Sequence, residues 1–185
     1  MKCGENGLAL TDWQGIWEDK EMFERQLTRI DTVRRYVDDM LKACEDKETA
    51  RCGYVHLYGV GQACALIALR RGHDRAYAEL AEIAGMLHDF STYEDNTRKD
   101  HERHSSERAR DILTQTQSFS ESEIDRVCQA VSRHGDKKNV HEEFDEILKD
   151  ADVMQHWLRN PVEEYFFAQE RVQKLIEEFQ LTNCQ

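Results

Sequence analysis

One proline in 185 residues is the feature that most narrows what this chain can fold into. Proline interrupts helices and, with glycine, supplies the tight turns that β-rich chains need at short intervals. Only nine glycines accompany it. A chain so poor in turn residues is expected to be all-α, a single compact helical domain of about six to eight helices. Hydrophobic residues make up 39% of the chain, lean but sufficient for one core at this length.

Apolar residues recurring at three- and four-residue steps, or multiples of them, place the helices. A first helix is expected over 18–44, with Phe23, Leu27, Ile30, Val37, Leu41 and Cys44 on one face. A second spans 54–71 and ends at Gly72, where a left-handed cap is natural. A third covers 75–88, with Leu80, Ile83, Ala84 and Leu87 inward. The polar stretch 90–100 is expected to be a loop over the site, followed by a helix over 102–116. Ser120 and Glu123 form a capping-box pattern opening the next helix, which Gly135 closes. Phe144, Ile147, Leu148, Ala151 and Met154 mark another. Asn160-Pro161 is expected to open a last helix over 161–180 that buries Tyr165, Phe166, Val172, Leu175, Ile176 and Phe179. The domain core is thus 50–160, with the helices at 18–44 and 161–180 packed on it.

The formal net charge is −12, which argues against binding nucleic acid through its phosphates. A small anionic substrate stays open, because a bound cation reverses the local potential inside a cleft. None of the six cysteines stands at C-x-x-C spacing, and a chain able to build its own core needs no disulfide framework. The first residues lack the apolar stretch of a signal peptide, and no run reads as about 18 apolar residues. A cytoplasmic protein that does not enter a membrane is therefore expected.

The chemistry lies in histidines and aspartates. His-Asp occurs twice, about what chance allows with eight histidines, so the dipeptide alone says little. His73-Asp74 sits in a turn-like segment. His88-Asp89 instead ends the apolar run 83–87, where burying ionisable groups is costly unless something such as a metal compensates. Asp152 falls at the edge of an apolar helix face, four residues after Leu148, whereas Asp150 falls on the far side and is expected to be exposed. His56 aligns with Val60 and Ala63 on an inward stripe, and His134 follows Val131 by three residues. Two imidazoles and two carboxylates suit a mixed nitrogen and oxygen site for Mn, Fe, Co, Ni, Zn or Mg.

The order His56, then His88-Asp89 within A-G-M-L-H-D-F, then Asp152 within L-K-D-A-D-V resembles the HD superfamily of metal-dependent phosphohydrolases from about residue 54 to 158. The resemblance implies an all-helical fold and a divalent metal held by His56, His88, Asp89 and Asp152. His104 in H-S-S-E-R-A-R-D-I-L and His134 in A-V-S-R-H-G are similar to the additional histidines of binuclear members. Carried over, Asp89 would bridge two ions and His104 with His134 would hold the second; His101, one turn earlier, is a direct rival of His104. The chain departs from the family's pattern at Gly59, where many one-metal members carry arginine, and at Ser91, where many carry glycine or alanine.

The expected function is hydrolysis of a phosphate ester or phosphoanhydride in a small molecule, a nucleotide being the favoured substrate, by metal-activated water. Asp89 is then catalytic as well as a ligand, Glu94 and Asp95 are candidate proton carriers, and Lys149, Arg133 and Lys137 are candidate phosphate contacts. Two alternatives remain at this point: a di-iron oxygenase acting on a small polyol or phosphonate, and a non-catalytic module that binds metal and nucleotide. A homodimer, with the long first helix or the aromatic last one at the interface, is a further expectation.

Overall fold

The computed structural model describes residues 27–162 and 169–181. Among them are eight helices and no strand. In chain order they are α1 (Arg29–Ala43), α2 (Lys47–Arg70), α3 (Arg75–Leu87), α4 (Phe90–Glu94), α5 (His101–Thr116), α6 (Glu121–Arg133), α7 (Glu143–Arg159) and α8 (Glu170–Glu178).

Helix α2 is the central element, packed most extensively against α3 and α7, while α5 and α6 pack on each other as a second pair. By length and composition alone α2 passes as a membrane span, contrary to the reading that no run does. Half of its most apolar window is buried against the other helices, however, as in the core helix of a globular fold. Where α2 crosses α3, Gly61 and Gly85 meet: a Cβ placed on Gly85 would lie 2.6 Å from the Gly61 Cα. That close approach draws the middle of α2, where His56 sits, against the end of α3, where His88 sits.

Local chemistry sets most boundaries. Thr28 and Asp31 make a reciprocal capping box at the start of α1, so this helix begins at residue 29; Leu27 ahead of it is exposed, and the expected start at 18, with Phe23, lies outside the described residues. Val37 and Leu41 are buried as expected, Val33 joins them, and Cys44 is only half-buried at the C-cap. Helix α2 starts seven residues before the expected position because Asp46 caps it, accepting from the amides of Glu48 and Thr49. Gly72 has the positive φ (90°) of a left-handed cap. Ser120 and Glu123 form the expected capping box of α6.

Three expectations fail. The polar stretch after Asp89 is not all loop: Phe90–Glu94 is a short helix whose Phe90 and Ser91 are buried. Asn160 caps the end of α7 rather than opening a helix, residues 161–162 form a turn, and the last described helix is Glu170–Glu178; Tyr165 and Phe166 lie outside the described residues. Asp150 is buried, not exposed, because α8 docks on α7 and closes its outer side. Arg171 of α8 reaches Asp150 (2.6 Å) and Glu146 (2.7 Å), Arg71 at the C-cap of α2 also binds Asp150 (2.7 Å), and Val172 packs with Val153 and Trp157.

Candidate metal centre

Four helices and one short connection converge on a single cleft of about 660 Å³. Its floor carries His56 from the middle of α2, Asp89 from the α3–α4 junction, His101 from the first turn of α5, His134 from the C-cap of α6 and Asp152 from α7, with His88 of the same junction beneath them. His56, His88, His134 and Asp152 are buried, with His88 fully so.

The histidines share one arrangement. His88 Nδ1 donates to the Gly85 carbonyl (2.7 Å), His134 Nδ1 to the Val131 carbonyl (2.7 Å), and His101 Nδ1 to the Arg98 carbonyl (3.1 Å). His56 Nδ1 donates to Gln155 Oε1 at 2.8 Å. With each proton held on Nδ1, all four rings turn a bare Nε2 inward, the tautomer required of a metal-binding imidazole. Each Nε2 then points its lone pair at further lone pairs. His56 Nε2 and His88 Nε2 are 3.2 Å apart. Both are 3.6 Å from Asp89 Oδ2, and they stand 3.6 and 3.8 Å from Asp152 Oδ1. On the other side, His134 Nε2 and His101 Nε2 lie 3.3 and 3.4 Å from Asp89 Oδ1.

This donor set fits a cation. Ligand atoms about 2.0–2.2 Å from an ion stand roughly 2.8–3.6 Å from one another, close to the separations here. Asp89 Oδ1 and Asp152 Oδ1 are shut off from solvent with no hydrogen-bond donor, an arrangement that costs stability without a compensating charge. Protonating the imidazoles is the other way to relieve the crowding of lone pairs. Burial blocks it at His88, whose pKa is pushed down to about 3 despite the neighbouring Asp89. At His56 burial is outweighed by Asp89 and Asp152, which raise its pKa. Burial would raise Asp152, yet the Lys137 ammonium, 2.7 Å from its Oδ2, outweighs burial and holds it well below the usual carboxylate range, so it stays ionised, as a ligand must.

The two oxygens of Asp89 thus face different histidine pairs: Oδ2 with His56 and His88, completed by Asp152, and Oδ1 with His101 and His134. The second set differs from the sequence expectation. His104 turns out of the cleft, its Nε2 2.6 Å from the Arg103 guanidinium, and its rival His101 takes the position beside Asp89. Behind His101, Glu102 Oε2 approaches Nδ1 to 3.2 Å, and the Glu102 carboxylate occupies the space that a Cβ on Gly135 would fill. Gly59, the position where many one-metal members carry arginine, is similarly filled: the Gln155 side chain that holds His56 lies over it, 2.9 Å from where a Cβ would sit. His156, four residues after Asp152 and readable in sequence either as a support of the centre or as a surface residue, also faces this centre, its Nε2 3.4 Å from Asp152 Oδ1.

The other candidates separate. Lys137 Nζ is 2.7 Å from Asp152 Oδ2, at the edge of the centre. Lys149 is fully buried elsewhere, bonded to the Asn139 carbonyl, His141 Nδ1 and Glu146, and does not line the cleft. Arg133 pairs with the buried Asp145 at 2.9 Å and likewise points away. Glu94 is held bidentately by Arg108, and Glu94 with Asp95 lines a separate depression against the end of α1. Both lie past the buried first turn of α4, which carries them away from the cleft. The cleft walls instead bring forward Tyr93, Arg98 and Arg159, none of them singled out by the sequence.

No curated protein and no solved structure matches the chain. The family model described as HD domain matches residues 53–157, a span that contains His56, His88, Asp89, His101, His134 and Asp152 together with the helices that carry them. That match covers more than half of the chain, and on it, with the all-helical fold and the centre just described, the protein belongs to the HD-domain family.

Proposed function

We propose that the protein is a metal-dependent phosphohydrolase acting on a small phosphorylated molecule of nucleotide size. The observation that carries this reading is the shared carboxylate: Asp89 presents one oxygen to each of two histidine pairs whose tautomers are already fixed. His56, His88, Asp89 and Asp152 would hold one divalent ion, and Asp89, His101 and His134 a second. Bound there, such ions supply Lewis acidity, lowering the pKa of coordinated water from 15.7 toward roughly 7 and offsetting charge on phosphoryl oxygens.

The chain's own residues do the rest. Gln155 and the carbonyls of Gly85, Arg98 and Val131 keep the four imidazoles oriented. Lys137 holds Asp152 Oδ2, leaving Oδ1 for the centre. His156, whose pKa burial lowers, is a neutral imidazole on the cleft wall and can accept a proton from water entering there. A volume of about 660 Å³ is in the range of sites for nucleotide-sized ligands.

The test is a broad panel of phosphate esters and anhydrides assayed with protein loaded separately with Mn, Co, Ni, Fe, Zn and Mg. Turnover that disappears in Asp89→Asn supports the reading; no turnover with any metal overturns it. A di-iron oxygenase is the second reading, favoured by the same four-histidine, two-carboxylate set. It requires about two irons per chain and substrate-dependent oxygen uptake, and full activity without oxygen excludes it.

A further inference from the structure

In this acidic protein, arginines are usually neutralised by a carboxylate. Arg29, Arg34, Arg71, Arg108, Arg133 and Arg171 each lie within 3.0 Å of one. Arg98 and Arg159 are not so paired, a property they share with Arg35 and Arg75, with Arg70, which binds the Glu178 carbonyl, and with Arg126, which lies over Tyr77 and Phe144. Among the described residues neither guanidinium lies within 4 Å of a carboxylate; Arg159 has a long contact, 3.8 Å, to Cys52 Sγ, and its charge also reaches Glu48 on the wall of the same cleft. Both line the cleft that contains the metal centre. They come from separate elements, Arg98 from the α4–α5 connection and Arg159 from the last turn of α7, and the fields of both reach the Tyr93 hydroxyl on the cleft wall.

The helices account for only one of the two positions. The dipole of α7 favours a cation at Arg159, near its C-terminus. Arg98 lies three residues ahead of α5, where the dipole disfavours a cation and an acidic residue would be the stabilising choice. Arg98 is thus an exposed guanidinium that opens, from a connection the dipole does not favour, into the same cleft as a second one.

We propose that Arg98 and Arg159 form an anion subsite beside the metal centre, so that the substrate carries a second phosphoryl group besides the one placed at the ions. Guanidinium groups bind phosphate through paired, charge-assisted hydrogen bonds, and two of them on separate walls discriminate a diphosphorylated molecule from its monophosphate. The second group either sits elsewhere on the same skeleton or is linked through an anhydride. The inference rests on the phosphohydrolase reading for the end of the substrate at the ions.

Binding to the manganese-loaded protein, measured by calorimetry, tests it without requiring turnover. Fructose 1,6-bisphosphate against fructose 6-phosphate probes two groups on one skeleton, and ADP against AMP probes the anhydride. The wild type is expected to bind the diphosphorylated member of at least one pair about tenfold more tightly or better, given that hydrogen bonds to charged groups are the strong ones. In the double variant Arg98→Gln/Arg159→Gln that preference should vanish, while monophosphate binding and metal content are kept; each single variant should lose part of it. Both side chains are exposed, so the fold is expected to survive. Absence of any preference in the wild type, or its persistence in the double variant, overturns the subsite. A preference lost in the double variant, in a protein that hydrolyses none of the four compounds, supports the subsite and counts against the phosphohydrolase reading alone.

Discussion

His101 and His104 lie one helical turn apart on α5, and only one of them faces Asp89. His101→Ala removes one of the three protein donors of the second set, whereas His104→Ala removes a side chain whose contact is with Arg103. Loss even of a partner that merely orients a ligand weakens metal binding about 10–100-fold, so loss of the ligand itself should exceed that. With free manganese at about 100 times the dissociation constant, each bound ion stabilises the native state by ~2.7 kcal/mol. For a domain of this size that amounts to a rise in Tm of about 5–10 °C per ion, at ~2–4 °C per kcal/mol. Wild type and His104→Ala should therefore show two metals per chain by elemental analysis and the full manganese-dependent rise. His101→Ala should show one metal and roughly half the rise. The reasoning is refuted if His104→Ala loses the second ion and His101→Ala retains it, or if manganese leaves the melting curve of the wild type unchanged.

Three further outcomes follow from the same packing. Gly135→Ala puts a methyl group 2.2 Å from Glu102 Oε1, the end of a flexible side chain; stability should barely change, while affinity for the second ion falls about tenfold in a metal titration as His101 loses its neighbour. Gly85→Ala meets the backbone of Gly61 instead, which cannot move aside, so denaturant unfolding should show a loss of about 3 kcal/mol or more; an unchanged midpoint would mean that α2 and α3 do not approach so closely. Glu146 is half-enclosed, and although burial would raise its pKa, hydrogen bonds from Lys149, Arg171 and the His141 amide bring it down to about 2. A depressed folded-state pKa gives stability that is present above the unfolded value near 4.5 and lost as pH falls toward 2, at most ~3 kcal/mol, so Glu146→Gln should flatten the acid limb of a stability–pH curve over that window.

The legibility of the molecule in its sequence follows the range of the forces involved. The all-helical class was readable because proline scarcity and apolar periodicity are local properties, and caps such as Ser120 with Glu123 act within one turn. His56, His88, Asp89, His134 and Asp152 stood out because each is an ionisable group at the edge of an apolar helical stripe, where burial demands a reason. What local pattern could not decide was direction around a helix when two residues share a face. His101 and His104 differ by about 60° on the helical wheel, and only the placement of α5 against α6 selects between them. Nor could it decide burial imposed from far along the chain. Asp150 reads as solvent-facing on α7 until α8 arrives with Arg171, and Lys149 reads as a free cation until Asn139, His141 and Glu146 close around it. Arg98 and Arg159 are ordinary surface charges in one dimension, and only the meeting of the α4–α5 connection with the end of α7 brings them to one cleft. Composition and periodicity thus determined which elements form and which of their edges carry ionisable groups, since both depend on neighbours within a turn or two. The shared centre, its second histidine and the basic walls of the cleft were decided by tertiary packing, because each depends on groups brought together from separate helices.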